Sequence, residues 1–146
     1  MITYRPARFS DIPSITEFVD DCHTAGDFFV TPSRHFKYLK YYSVLLAFDN
    51  NTIVGWAVKQ KNGTLIHLLI HPGFRGQGIG GTMLRILNPP KVRSKSDQST
   101  GNPIGFYLKQ GYIITQLSQG KNANIDILKK AESSTDSARA RARLLS

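Results

Sequence analysis

The feature that most constrains the fold is a glycine-rich loop between an apolar run and a helix-like segment. The loop is His71-Pro-Gly-Phe-Arg-Gly-Gln-Gly-Ile-Gly-Gly81, and it follows the strand-like run Thr64–Ile70. Glycines let backbone N–H groups approach an anion closely, and the N-terminus of a following helix favours negative charge. With a helix predicted over Gly78–Leu87, the loop predicts a site for a pyrophosphate-bearing ligand, to which Arg75 adds a side-chain donor.

The same loop also contains a dinucleotide-type pattern. Gly76, Gly78 and Gly81 form G-x-G-x-x-G, and Asp97 lies about twenty residues further on,. Two observations weigh against that interpretation: the five residues His71–Arg75 separate the strand from the first glycine, and only 49 residues follow Asp97. A glycine-rich turn with a purely structural role is a third interpretation, and from the loop alone all three stay open.

Apolar spacing predicts helices and strands along most of the chain. Ser10 is the predicted N-cap of a first helix, with Pro13 in its first turn, and Thr31-Pro-Ser33 opens a second. The predicted strands of a three-stranded antiparallel meander are 43–48, 52–58 and 64–70. A short helix over 103–110 and a closing strand pair, 112–117 with 124–128, complete the prediction. The segment Lys91–Asp97 has a single apolar residue, Val92, and lacks the alternation of an ordinary strand,.

Composition indicates one globular domain over residues 1–128, followed by a polar, basic tail over 129–146 that we expect to be disordered. Hydrophobic residues make up 40% of the 146, which excludes a disordered chain as a whole,. No apolar run reaches the ~18 residues of a membrane span, and the N-terminus lacks a signal-peptide pattern. Cys22 is the single cysteine, so no intrachain disulfide is expected,. These features favour a cytoplasmic protein.

The formal net charge of +9 is unevenly distributed. Residues 28–121 hold only Asp49 and Asp97 as acids against twelve lysines and arginines. Such an asymmetry favours an anionic partner, and coenzyme A or nucleic acid would satisfy it, although a solvated basic surface is an equally ordinary explanation.

Several segments, taken together, resemble one protein family. Leu68-Leu-Ile-His-Pro-Gly-Phe-Arg-Gly-Gln-Gly-Ile-Gly80 resembles the central signature of the GNAT N-acetyltransferase superfamily. The opening Ile2-Thr-Tyr-Arg-Pro-Ala-Arg-Phe-Ser-Asp-Ile12, the hairpin Asn51-Thr-Ile-Val-Gly-Trp-Ala57 and the late Asn102-Pro-Ile-Gly-Phe-Tyr-Leu-Lys-Gln-Gly-Tyr112 are similar to other parts of its pattern. The resemblance spans residues 1–128 in order.

The resemblance implies an α/β (α+β) fold, with a mixed, mostly antiparallel sheet of six to seven strands and about four helices. It implies an enzyme that moves an acetyl group from acetyl-CoA directly to an amine. Leu69 and Ile70 would pair with the pantetheine arm, and Asn102 would contact pantetheine or the acceptor. The expected pyrophosphate-binding residues are Arg75, Gly76, Gln77, Gly78, Ile79 and Gly80.

Three residues are candidates for catalysis. Tyr107 matches the tyrosine that protonates the departing thiolate in many family members, and a phenol of pKa about 10 is protonated at neutral pH. His67 is the candidate general base on the strand 64–70, where it shares a face with Leu69, and the alternative is a packed, hydrogen-bonded histidine. Asp97 is a second candidate, either orienting the acceptor or pairing with a neighbouring cation. We expect no metal, because the histidines and Asp97 have no metal-ligand spacing.

Two alternatives keep the fold and change the function. The basic stretch 91–95 and the tail 129–143 would suit a protein that binds or acylates nucleic acid or a ribosome. Alternatively, the missing carboxylate on the strand 64–70 and the irregular segment Lys91–Asp97 favour a non-catalytic acyl-CoA-binding module. The acceptor is not identified by the sequence, and pairing of strand edges is compatible with a homodimer.

Overall fold

The computed structural model describes residues 1–24, 35–96, 103–119 and 124–131. The chain forms two compact units, Met1–Pro89 and Pro90–Ser146. The predicted boundary at residue 128 falls inside a strand that ends at Lys130, and residues 132–146 of the predicted tail lie outside the described residues.

The first unit contains four strands and three helices in its described part. The strands are β1 (Ile2–Pro6), β2 (Ser43–Asp49), β3 (Thr52–Lys59) and β4 (Thr64–Ile70), and the helices are α1 (Ile12–Thr24), α2 (His35–Tyr41) and α3 (Ile79–Leu87). β1 pairs with β2, β2 with β3 and β3 with β4, all antiparallel. The predicted meander is therefore confirmed.

The second unit contains three strands and one helix in its described part. These are β5 (Lys91–Ser96), α4 (Ile104–Lys109), β6 (Tyr112–Gln119) and β7 (Asn124–Lys130). β7 pairs antiparallel with both β5 and β6. The seven strands and four helices of the two units confirm the predicted fold class, with its mostly antiparallel pairing.

The start of α1 differs from the sequence prediction. Ser10 is not the N-cap, because it lies inside a 3₁₀ turn over Phe9–Asp11 and α1 begins at Ile12. The backbone N–H of Arg8 donates to Oδ2 of Asp11 at 2.8 Å, and Arg5 holds both carboxylate oxygens of Asp11 at 2.8 Å. The carboxylate of Asp11 thus anchors the 3₁₀ turn that precedes α1,. The second predicted start, at residues 31–33, lies outside the described residues.

The core of the first unit packs α1 and α2 against β2, β3 and β4. Its fully buried members include Ile15, Val19, Leu46 and Trp56. On β3, a Cβ at Gly55 would lie 2.9 Å from Sδ of Met83 in α3 and 3.1 Å from Cβ of Ala47. The missing side chain therefore lets α3 lie close to the sheet, which fixes the helix that opens at the glycine loop.

β5 is a regular strand despite its polar sequence. Six consecutive residues, Lys91 to Ser96, pair with Lys129 to Asn124 without a register shift. Val92 and Ser94 are buried, while Arg93 between them is exposed. The alternation of a half-buried strand is thus present, with a serine where an apolar residue would be expected. Among the described residues, no helix combines the length and the apolar character needed to span a membrane.

Candidate functional site

The glycine loop begins with a capped turn immediately after β4. The N–H of His71 donates to the carbonyl of Val54 at 2.8 Å and completes the ladder to β3. A 3₁₀ turn over Pro72–Phe74 follows, in which Nδ1 of His71 accepts from the N–H of Gly73 at 3.1 Å. His71 therefore shapes the entry of the loop.

Two glycines give the loop its backbone shape. Gly76 and Gly78 have φ of 80° and 81°, in the left-handed region that residues with a Cβ rarely adopt,. A Cβ at either position would meet no atom within 4 Å. The requirement for glycine here comes from the dihedral angle and not from crowding, and both residues are exposed to open space.

Gly78 is the N-cap of α3, whose first turn is closed without a side-chain cap. Both the N–H and the hydroxyl of Thr82 donate to the carbonyl of Gly78, at 3.1 and 3.0 Å. The first N–H groups of a helix have no acceptor within the helix, so an anion can accept from them. Ile79 is buried, so a cofactor role for this residue would use its backbone, whereas Gln77 is exposed.

Arg75 contacts the end of β4. Its Nε donates to the carbonyl of Ile70 at 3.3 Å. Because the N–H of His71 points to β3, the carbonyl of Ile70 in the same peptide plane points away from β3. The carbonyl predicted to pair with pantetheine is therefore bonded to Arg75, and a pantetheine amide would compete for it. Leu69, the other residue predicted for this role, is buried and paired with Trp56.

His67 lies on β4 among aromatic side chains. The indole N–H of Trp56 donates to Nδ1 of His67 at 3.4 Å, which is a long hydrogen bond,. The ring of Tyr38 meets the imidazole edge-on, with centroids 5.0 Å apart. With Nδ1 accepting, the neutral imidazole carries its proton on Nε2. Taking up a second proton at Nδ1 requires the Trp56 bond to break, so this contact opposes a role as base through that nitrogen.

Tyr107 lies on α4 in the second unit and is buried, with 5% of its surface exposed. Its ring packs edge-on against Tyr112 at 6.2 Å between centroids, and against Phe106 at 5.1 Å. Burial raises the pKa of Tyr107 well above that of an ordinary phenol, and the neighbouring Tyr112 adds to the effect. The hydroxyl therefore stays protonated at neutral and moderately alkaline pH, and the same burial makes it a weaker acid than an exposed phenol.

The predicted site residues fall into three groups. His67, Leu69, Ile70 and residues 75–80 belong to the first unit, and Tyr107 to the second. Asp97 and Asn102 lie outside the described residues. Three residues of chemical interest were not predicted from the sequence. Trp56 bonds to His67, and Ser94 and Asp126 are buried polar residues. The burial of Ser94 and Asp126 could have been predicted from strand alternation, because each lies two residues from an apolar residue, Val92 or Leu128, and so on the same face of its strand.

Comparison with known proteins identifies the family. A model of the acetyltransferase (GNAT) domain matches residues 40–114, which is half of the chain and includes the whole glycine loop. The chain belongs to the GNAT acetyltransferase family. The match includes β2, β3, β4, α3 and α4 as well as β5, so it rests on the arrangement around the loop and not on the loop alone. No curated protein matches the sequence of this GNAT chain.

Solved structures of GNAT proteins share the fold at low sequence identity. The PaiA N-acetyltransferase from Thermoplasma acidophilum, solved with coenzyme A, is 17% identical with a TM-score of 0.69, over 88% of this chain and 99% of its own. The ribosomal-protein-S18-alanine N-acetyltransferase from Escherichia coli is 14% identical with a TM-score of 0.72, over 89% and 93%. A GNAT-family acetyltransferase from Bacillus cereus is 17% identical with a TM-score of 0.67, over 89% and 98%.

Proposed function

We propose that this GNAT protein transfers the acetyl group of acetyl-CoA to an amine, by direct attack of the amine on the thioester. The observation that carries the proposal is the pair of left-handed glycines, Gly76 and Gly78, at the N-terminus of α3. This backbone faces open space and ends in helix N–H groups, so it suits the pyrophosphate of coenzyme A. Family membership supports the acetyltransferase class.

Both backbone and side-chain groups of the loop would bind coenzyme A. The N–H groups between Arg75 and Gly80 would bind the pyrophosphate, and the helix dipole would favour its charge. The guanidinium of Arg75 is exposed and adds positive charge at the same loop,. The carbonyl of Ile70 would accept from an amide of the pantetheine arm once Arg75 turns from it to a phosphate.

The chemistry requires a proton donor for the leaving thiolate. When the amine nitrogen bonds to the thioester carbon, the C–S bond breaks, the nitrogen loses a proton to water, and the sulfur takes up a proton. We assign that proton to the hydroxyl of Tyr107, because a phenol is protonated at neutral pH and can donate to a thiolate. His67, in the tautomer favoured by Trp56, would offer Nε2–H as a hydrogen-bond donor, and would accept a proton at Nδ1 only after losing the Trp56 contact.

Calorimetry with acetyl-CoA, followed by thiol-release assays with a panel of amines, tests the proposal. We expect acetyl-CoA to bind, and at least one amine to release free coenzyme A together with an acetylated product detected by mass spectrometry. Absence of acetyl-CoA binding would overturn the proposal. Binding without turnover by any amine would support the non-catalytic acyl-CoA module instead.

One observation favours a second candidate function, binding to nucleic acid. Lys91 and Lys129 stand directly opposite each other on β5 and β7, and Arg93 lies on the same face. Like charges in that arrangement repel. Within the described residues none of the three forms an ion pair with an acid. An RNA or DNA backbone would relieve the repulsion, so we expect duplex binding that weakens as salt rises. Salt-independent or absent binding would exclude this function.

A further inference from the structure

The buried face of the second unit contains two polar side chains at facing positions. Ser94 on β5 and Asp126 on β7 are opposite one another in the antiparallel ladder, and they are 3% and 4% exposed. Their neighbours on the same face, Val92 and Leu128, are fully buried. A serine and an aspartate therefore occupy positions where the alternation of both strands calls for apolar residues.

Neither side chain has a partner in the described part of the chain. The hydroxyl oxygen of Ser94 is buried without a hydrogen bond, so Asp126 does not accept from it. Asp126 makes no hydrogen bond or ion pair with any residue that the structure describes. Buried polar groups are almost always bonded, and a carboxylate more strictly than a hydroxyl. Of the two, only the Ser94 hydroxyl is fully enclosed without a partner, so the carboxylate oxygens of Asp126 keep some contact with solvent. The pair therefore joins an unsatisfied hydroxyl to a mostly buried carboxylate that a ligand from solvent can reach.

The pair shares its sheet face with the aromatic cluster of α4. Strand alternation puts Asp126, Leu128 and Tyr112 on one side of the β5–β7–β6 ladder. Tyr112 contacts the ring of Tyr107, the proposed proton donor. Ser94 and Asp126 therefore face the side of this unit's sheet on which Tyr107 packs.

We propose that Ser94 and Asp126 bind the ammonium group of the acceptor substrate as it enters, before it loses a proton to water and becomes the free amine that attacks the thioester. An ammonium group has three N–H donors and a positive charge, and both a carboxylate and a hydroxyl can accept from it. A carboxylate also explains how an otherwise basic chain could attract a cationic acceptor. The assignment rests on the proposed acetyl transfer, because it takes the ammonium to be that of the molecule to be acetylated.

Two other ligands match the pair less well. A metal ion would need more ligands, and among the described residues no three His, Cys, Asp or Glu side chains come together,. The pantetheine arm of coenzyme A offers amide N–H groups, but it carries no positive charge to balance a buried carboxylate. The charge of Asp126 therefore favours the ammonium.

The test compares Asp126→Asn and Ser94→Ala with Asp21→Asn, which removes an exposed carboxylate on α1. Without ligand, we expect Asp126→Asn to raise Tm by about 2–4 °C, because it removes an unpaired buried charge, whereas Asp21→Asn leaves Tm nearly unchanged. Propylammonium, titrated at neutral pH, should shift the backbone amide resonances of residues 92–94 and 125–128. We expect its Kd to rise about tenfold or more in Asp126→Asn, and by a smaller factor in Ser94→Ala.

Three results would overturn the proposal. Lower Tm in Asp126→Asn would mean that the carboxylate supports the fold. Equal propylammonium shifts in wild type and Asp126→Asn, or none in wild type, would remove the ammonium site. Shifts caused by pantetheine but not by propylammonium would assign the pair to the cofactor arm. Acetyl-CoA affinity, measured in parallel, should be the same in all variants. If wild type fails to bind acetyl-CoA, the transferase proposal fails and the propylammonium titration still decides the ammonium site.

Discussion

The glycine loop of the first unit and the buried polar face of the second present functional groups in opposite ways. The loop uses backbone: Gly76 and Gly78 hold left-handed angles in open space, and the N–H groups are the donors. The second unit uses side chains: Tyr107, Ser94 and Asp126 are each at least nine-tenths buried. A backbone site tolerates many neighbouring residues as long as the glycines remain, whereas a side-chain site depends on each residue type.

This difference predicts how each region responds to substitution. In the loop, a change of backbone angle should harm cofactor binding, while most side-chain changes should have small effects. In the second unit, removal of a single hydroxyl or charge should alter turnover or acceptor binding and leave the backbone intact. Variants that change only a backbone angle, or only a side-chain group, can therefore distinguish the backbone site from the side-chain site.

The largest effect is expected from Tyr107→Phe. The substitution removes the proposed proton donor and keeps the ring that packs on Tyr112. Loss of a general acid typically costs about 10²-fold or more, so kcat should fall by about that factor, with the Kd of acetyl-CoA unchanged. Steady-state kinetics with the best amine of the panel, and calorimetry with acetyl-CoA, measure the two quantities.

Tyr112→Phe is the matched control, since it removes the neighbouring hydroxyl from the same aromatic contact. We expect its kcat to stay within about threefold of wild type, because the proposed donor is still present. Equal activity of Tyr107→Phe and wild type would show that the second unit supplies no acid. The second unit would then differ from the loop only in how its side chains are packed, and not in supplying a catalytic group.

The next largest effect is expected from Gly78→Val. A β-branched residue at φ of 81° is strained, so the first turn of α3 would shift and displace the N–H groups,. We expect the Kd of acetyl-CoA to rise by about 30-fold or more, together with a loss of about 1–3 kcal/mol in the free energy of unfolding. Calorimetry and urea unfolding give the two values.

Gly63→Val introduces the same strain elsewhere in the first unit. Gly63 lies in the turn before β4 with φ of 91°. This variant should lose similar stability and keep the acetyl-CoA affinity of wild type. If both variants lose affinity equally, the effect of Gly78→Val is a general weakening of the unit, and the loop is not the cofactor site.

The two regions also differ in how far sequence could predict them. The loop is a run of adjacent residues, so its glycines, the preceding strand and the following helix were visible together, and the fold class and most element bounds followed. Ser94 and Asp126 are 32 residues apart, and only the register of β5 against β7 brings them together. The Trp56–His67 bond likewise depends on a diagonal contact between β3 and β4. Pairing across strands is non-local information that spacing along one strand does not contain.

The smallest effects concern pH, and they fall at opposite ends of the scale for the two units. In the first unit, the hydrogen bond from Arg5 lowers the pKa of Asp11. The contribution of Asp11 to the free energy of unfolding is therefore present above the unfolded pKa of about 3.9 and is lost as pH falls below it,. In the second, burial raises the pKa of Tyr112 to about 12, so its contribution is complete below pH 10 and is lost as pH rises towards 12,. Tyr107 acts in the same direction.

Urea unfolding midpoints, followed by circular dichroism from pH 3 to 12, separate these contributions through Asp11→Asn and Tyr112→Phe. Asp11→Asn should cost about 1–2 kcal/mol at pH 7, since Arg5 is partly exposed, and its difference from wild type should shrink as pH falls below about 4,. Tyr112→Phe should have the same unfolding midpoint as wild type at low pH and should lose less stability than wild type above pH 10. The loss that remains in this variant is attributed to ionisation of Tyr107. If the unfolding midpoints of wild type and Tyr112→Phe fall by the same amount above pH 10, Tyr112 titrates as an exposed phenol. In that case the aromatic face of the second unit would be open to solvent, and the buried setting claimed for its side-chain site would be wrong.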